Sequence, residues 1–129
     1  MYFPDLGNQW YCPLVEGVLT VGWLHPRYPF ARGDTPPEFV EKLRWHLATK
    51  EFLPWVLMGC HSCEFCTSQR VHNSGELFIP TTQVLYMAPT MIGHYVEVHR
   101  YVPPADFIEA VLVCPPQTSR EFQIGRAHV

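Results

Sequence analysis

Three cysteines within seven residues constrain this chain more than any other feature of its sequence. Cys60, Cys63 and Cys66 follow one another at C-x-x-C spacing, and His61 comes directly after the first of them. Two residues between a pair of cysteines form a tight turn, which lets both thiolates converge on one metal ion. The segment therefore predicts a fold that is organised around a bound metal.

A tetrahedral site needs two further ligands from elsewhere in the chain. His94 and His99 are the best candidates, because they follow the cysteines on one predicted helix at H-x4-H spacing. That spacing falls within the range of zinc fingers. We therefore predict one Zn²⁺ in a closed structural site, with Cys63, Cys66, His94 and His99 as its ligands.

The spacing of the two histidines raises a geometric difficulty. Residues five apart on an ideal helix are offset by about 140°, so His94 and His99 would point in different directions. The helix must then end or distort near His99. If only one of the two binds the metal, His61 is the natural replacement, whereas Cys63 and Cys66 belong to every version of the site.

A zinc-dependent hydrolase is one alternative. Catalytic zinc keeps one position open for water and has a base nearby, and Glu64 or Glu97 could serve as that base. The segment 94–99, however, fits neither H-E-x-x-H nor H-x-x-E-H. A structural site with four protein ligands is therefore favoured.

An iron–sulfur electron carrier is the other alternative. Cys60, Cys63 and Cys66 match the spacing of the first three ligands of a bacterial ferredoxin, and Cys114, which precedes a proline, resembles the remote fourth ligand. The histidines would then have no role in the site.

The composition indicates one globular domain without a surface for nucleic acid. The chain has 129 residues, of which 47% are apolar and 16% charged, a balance that is typical of a folded domain. Its net charge is -3, its only lysines are Lys42 and Lys50, and its arginines are scattered. Phosphate backbones are bound through clustered Lys and Arg, so nucleic acid is not the expected partner.

The sequence carries no sign of secretion or membrane insertion. It contains no long apolar run that would predict a membrane-spanning helix, and residues 1–5 do not resemble the start of a signal peptide. Five cysteines is an odd number, which fits free or metal-bound thiols better than a disulfide framework. We therefore expect the reducing environment of the cytoplasm.

The end of the chain sets the expected domain boundary. Residues 124–129 resemble the in-frame translation of a widely used sequencing-adapter oligonucleotide. We therefore predict a single domain over 1–123 and leave His128 out of the candidate ligands.

Apolar periodicity and turn residues predict a mixture of strands and helices. The predicted strands lie at 17–24 and 55–58 and in a hairpin formed by 76–79 and 83–87, with a polar loop over 67–75. The predicted helices run from about 36 to 49, from about 90 to 100 and from about 104 to 114. Together they predict an α+β domain with a short antiparallel sheet, about three helices and a zinc knuckle.

Three segments carry a family resemblance: V-G-W-L at 21–24, G-x-H-x-C-x-x-C at 59–66 and H-Y-V-x-x-H-x-Y-x-P-P at 94–104. On these segments the chain resembles an uncharacterised family of small bacterial proteins that is described only as a domain of unknown function. The resemblance extends to about residue 113. It implies that the following residues recur: His61, Cys63, Cys66, His94 and His99. The family pattern lacks Cys60, which implies zinc rather than an iron–sulfur cluster.

These observations favour a small, non-enzymatic zinc-binding module that contacts another protein. The sequence contains no G-x-S-x-G motif and no phosphate-binding glycine loop. Aromatic residues make up 14% of the chain, and Trp and Tyr are common anchors at interfaces. By analogy with small bacterial immunity and antitoxin proteins, we expect an immunity- or regulator-like role.

Overall fold

The computed structural model describes residues 2–7, 17–50, 60–66 and 72–122. The strands in these ranges are β1 (Val18–Thr20), β2 (Cys60–Ser62), β3 (His72–Ser74), β4 (Glu76–Pro80) and β5 (Leu85–Pro89). The helices are α1 (Pro37–Thr49), α2 (Ile92–Val98) and α3 (Ala105–Val113), and a further short helical segment begins at Arg120. Within the described ranges, no helix has the length and apolar character that crossing a membrane requires.

The main sheet has three strands in the order β1-β5-β4. β4 and β5 form the predicted antiparallel hairpin, with Glu76 opposite Pro89 and Pro80 opposite Leu85. β1 lies on the other side of β5 and runs parallel to it, with Val18 opposite Leu85. All of β5 is buried because it is the central strand. Strands and helices mixed in this way confirm the predicted α+β class.

A second, two-stranded antiparallel sheet carries the start of the cysteine segment. In it Cys60 of β2 lies opposite Ser74 of β3, and Ser62 lies opposite His72. The prediction of a loop is therefore wrong for 72–74. The three residues of β3 are polar, so they show none of the alternation of apolar and polar residues that predicts a strand.

The three predicted helices are present, with differences at their ends. α1 begins at Pro37, because proline lacks an N–H and its fixed φ suits the first turn. Its N-cap is Pro36, without a side-chain cap hydrogen bond. Asp34, three residues before the helix, accepts a hydrogen bond of 2.6 Å from Arg100.

Two sequence predictions concern residues outside the described ranges. The predicted strand over 55–58 lies there, as does the proposed adapter-derived tail over 124–129. The domain boundary at 123 therefore stays a prediction.

The core lies between the main sheet and the helices. The ring of Phe39 in α1 meets that of Phe107 in α3 edge to face, with 6.4 Å between centroids, and Phe107 meets Tyr86 of β5 at 5.6 Å. α2 approaches α1 so closely that a Cβ on Gly93 would lie 2.8 Å from a methyl carbon of Leu47. This contact holds α2, which carries one of the candidate histidines, against the core.

His46 is a buried polar residue that joins three parts of the chain. Its Nε2 lies 3.3 Å from the carbonyl oxygen of Val111, and its Nδ1 lies 3.0 Å from Nε2 of Gln117. The Gln117 amide nitrogen can only donate, so Nδ1 accepts and Nε2 donates to Val111. Burial lowers the pKa of His46, in agreement with a neutral ring.

We expect Gln117→Ala to lower the free energy of unfolding by about 1–3 kcal/mol, because a buried ring nitrogen loses its partner. Urea denaturation followed by tryptophan fluorescence measures the change. Thr118→Ala, at the exposed neighbouring position, is the matched control and should change stability by less than about 0.5 kcal/mol. Equal stability of the two variants would contradict the assigned hydrogen bonds.

Glu76, the first residue of β4, is a buried carboxylate. It is 5% exposed, and neither of its oxygens has a hydrogen-bond partner among the described residues. Burial raises its pKa to about 7, against an opposing contribution from Lys50. Because folding raises this pKa, the protonated form of Glu76 is favoured in the folded state relative to the unfolded state. This contribution to stability is fully present below about pH 4.5 and is lost as the pH rises through about 7.

We expect Glu76→Gln to stabilise the protein more at pH 8 than at pH 5, since the amide removes the cost of a buried charge. The difference between the two pH values should be up to about 3 kcal/mol, and denaturation at each pH measures it. Glu109→Gln, at an exposed position, is the control. An equal effect of Glu76→Gln at both pH values would contradict the assignment of a raised pKa.

Candidate metal centre

The two cysteines of the candidate site lie at the ends of a tight turn that follows β2. Cys63 is buried and Cys66 is half-buried. Between them, the ring of Phe65 packs edge to face on Tyr95 of α2, with 5.8 Å between centroids, and on Phe30 at 5.4 Å. The apolar residue of the C-x-x-C turn therefore anchors both thiols against α2.

α2 ends just before the second histidine. The helix covers Ile92–Val98, and His99 has a φ of -102° and a ψ of 4°. Arg100 has a left-handed φ of 59°, and the N–H of Tyr101 donates to the carbonyl oxygen of Tyr95 at 3.1 Å. Because the chain leaves the helix here, the offset of about 140° that an ideal helix imposes on an H-x4-H pair no longer applies.

The side chains of four predicted ligands converge. Cys63 Sγ lies 3.3 Å from His99 Nε2, and Cys66 Sγ lies 3.3 Å from His94 Nε2. Cys66 Sγ also lies 3.5 Å from His99 Nε2. The two ring nitrogens are 3.2 Å apart. One donor atom from each residue lies within 4.8 Å of all the others, so the four could share one ion.

These separations fit an ion of the size of zinc. Tetrahedral zinc, with Zn–S of about 2.3 Å and Zn–N of about 2.0–2.1 Å, places sulfur and nitrogen ligands about 3.6 Å apart and two nitrogen ligands about 3.3 Å apart. The observed distances lie within a few tenths of an ångström of these values. Both cysteines are free thiols. The cluster could therefore hold a metal ion, and its Cys2His2 donor set is consistent with zinc.

The surroundings of the site favour the neutral form of both imidazoles. Burial lowers the pKa of His94 against an opposing contribution from Glu97, and burial together with His94 lowers the pKa of His99. Neutral imidazole is the form that binds a metal. Burial and the neighbouring Cys63 raise the pKa of Cys66, so a thiolate here requires a nearby positive charge, which a divalent cation would supply.

Glu64 and Glu97, the two candidate catalytic bases, both have other partners. Glu64 Oε2 lies 3.1 Å from Nε2 of His25, whose Nδ1 accepts a hydrogen bond from the N–H of Arg27 at 3.0 Å. The His25 proton therefore lies on Nε2 and faces Glu64. Glu97 forms an ion pair with Arg44 of α1. The sequence carries no signal for either pair, because the partners lie far apart along the chain.

Of the other candidate ligands, only Cys114 has a side chain in the part of the chain that the structure describes, and it does not join this group. His61 and Cys60 lie on β2, and their side chains are outside that part, so a role for His61 stays a prediction. Cys114 is buried at the end of α3, where its thiol donates to the carbonyl oxygen of Pro115 at 3.4 Å. Burial raises the pKa of Cys114 to about 12, which makes it an inert core thiol.

The fold and the converging side chains define a small α+β domain with a Cys2His2 cluster that could bind a metal. The chain belongs to the family described as domain of unknown function DUF7919, whose pattern matches residues 1–112. This match confirms the expected membership of an uncharacterised family. Comparison with curated proteins and with solved structures gives no match.

We expect Arg100→Ile to weaken zinc binding by about tenfold or more, because a β-branched residue is strained by about 1–3 kcal/mol at positive φ and would displace His99. Competition with a zinc chelator measures the affinity. Arg100→Gly is the matched control, since it also loses the contact with Asp34 but tolerates the positive φ. Equal affinities of the two variants would show that the backbone at Arg100 does not position the ligand.

Proposed function

We propose that this protein is a non-enzymatic module that binds one Zn²⁺ and acts by contacting another protein. The observation that supports the metal site is the convergence of two thiols and two imidazoles within 4.8 Å. Four protein ligands are the arrangement of structural zinc sites. The ion would join the C-x-x-C turn to α2 and would add its binding free energy to the stability of the fold.

A zinc-dependent hydrolase is the second candidate, and the contacts of the carboxylates argue against it. Catalytic zinc binds three protein ligands and a water molecule, whereas four candidate ligands converge here. Glu64 contacts His25, and Glu97 is paired with Arg44. Hydrolysis would require one ligand to leave and one of these pairs to break. We therefore favour a structural ion.

An iron–sulfur electron carrier is the third candidate. A ferredoxin cluster uses four thiolates, whereas the described cluster contains two thiols and two imidazoles. A Rieske cluster does use two cysteines and two histidines, but it places each pair on a different iron. Here the sulfur–nitrogen distances of 3.3 and 3.5 Å are close to the nitrogen–nitrogen distance of 3.2 Å, which favours one ion.

A protein partner and a reducing compartment complete the proposal. Leu112 and Val113, which are adjacent at the end of α3, are 38% and 74% exposed, and exposed apolar side chains that lie together often mark contact surfaces. The three cysteines whose side chains are described, Cys63, Cys66 and Cys114, are free thiols, in keeping with the cytoplasm. The immunity- or regulator-like role remains an analogy with other small bacterial proteins.

Elemental analysis of the protein purified without added metal should find about one zinc per chain. We expect Cys63→Ser and His99→Ala to lose the zinc and to unfold at lower temperature or denaturant concentration, because binding free energy contributes to folding. A protein without zinc or iron, whose two variants fold normally, would contradict the proposal.

Three control variants separate ligands from neighbours. Glu64→Gln and Glu97→Gln should keep the zinc, since neither carboxylate belongs to the proposed ligand set. His61→Ala should also keep it if the four converging side chains complete the coordination. Loss of zinc from His61→Ala would indicate that His61 is a ligand in place of either His94 or His99.

A further inference from the structure

The outer surface of α1 and α3 has exposed apolar residues at one end. Trp45 on α1 is 37% exposed, and Leu112 and Val113 on α3 are 38% and 74% exposed; we call these three residues the helix-end patch. Their neighbours in sequence, His46 and Val111, are joined by a contact of 3.3 Å between His46 Nε2 and the Val111 carbonyl oxygen. All three residues therefore lie near the place where the C-terminal ends of the two helices approach each other.

The remainder of this surface is negatively charged. Glu38 and Glu41 lie two turns and one turn before Trp45 on α1, and Glu109 lies one turn before the exposed end of α3. All three glutamates are exposed. Among the described residues, none of them forms an ion pair. Glu41 contributes to the raised pKa of Arg44, so Glu38 and Glu109 carry the charges that are most available to a partner.

The positive charges of α1 already have contacts. Arg44 is paired with Glu97 of α2. The ammonium of Lys42 lies 4.2 Å from the centre of the Trp45 ring, which shows that this exposed ring can take a cation on its face. A Lys or Arg side chain of a partner could make the same contact.

We propose that the helix-end patch and the three glutamates form a docking surface for a cationic amphipathic segment of a partner protein. Apolar side chains of the segment would cover the patch, and its Lys and Arg side chains would face Glu38, Glu41 and Glu109. The same carboxylates would repel an anionic membrane or nucleic acid. This inference rests on the proposed protein-binding function and specifies its surface and its partner chemistry.

The docking surface and the metal centre lie on different sides of α1. α2 contacts α1 through Gly93 beside Leu47 and through the Arg44–Glu97 ion pair. Trp45 and Lys42 project on the side of α3, where Lys42 acts on the pKa of the Cys114 thiol. The surface is therefore accessible when the metal site is loaded.

Selection from a display library of random peptides about four helical turns long, with the zinc-loaded full chain as target, tests the proposal. We expect the enriched peptides to carry Lys or Arg together with apolar residues at helical spacing. The best peptide, resynthesised, should bind at least about tenfold more weakly to Trp45→Ala and to the double variant Glu38→Lys, Glu109→Lys. Added salt should weaken its binding to the unsubstituted protein.

Val98→Ala, which removes an exposed apolar side chain outside this surface, is the matched control and should not change the affinity. Circular dichroism and zinc content verify that each variant is folded. Two results would overturn the proposed docking surface while leaving a protein-binding function in place. The enriched peptides could be acidic, or their affinity could be the same for the unsubstituted protein and for both surface variants. Failure to enrich any peptide would overturn the surface and the protein-binding function together, without bearing on the zinc site.

Discussion

The approach of two sulfur atoms and two ring nitrogens to within 4.8 Å of one another is the contact on which the rest of the structure depends. Without a cation these atoms gain little from one another, because two ring nitrogens that are 3.2 Å apart can share only one proton between them. Burial also disfavours a thiolate at Cys66. A divalent cation resolves both conflicts, since each of the four atoms then donates a lone pair to the same ion.

The fold supplies the positions of these atoms from two separate elements. The C-x-x-C turn is held by Phe65, whose ring packs on α2. α2 has only seven residues, and its own hydrogen bonds could not keep so short a helix in place. Close packing against α1 holds it in place, whereas the exposed Arg44–Glu97 ion pair adds little to its stability. The candidate metal site therefore depends on α1, although no candidate ligand lies on that helix.

Local patterns in the sequence predicted the α+β class, the hairpin and the four converging side chains, because turns, apolar periodicity and ligand spacing are short-range features. They missed β3, whose three residues are polar. They also missed the contact between His46 and Gln117, which is made across 71 positions of the chain. The spacing of the histidines required α2 to end near His99. The left-handed backbone conformation of Arg100 could not be predicted, however, since arginine seldom adopts a positive φ.

X-ray absorption at the zinc edge, measured on protein purified without added metal, tests the central claim most directly. The account predicts a coordination shell of two sulfur atoms at about 2.3 Å and two nitrogen atoms at about 2.0–2.1 Å, with the sulfur contribution lost in Cys63→Ser and Cys66→Ser together. A shell that contains an oxygen ligand in place of one histidine would indicate an open, catalytic site. A sample without zinc, or a shell without sulfur, would contradict the assignment of Cys63, Cys66, His94 and His99 as ligands of one ion.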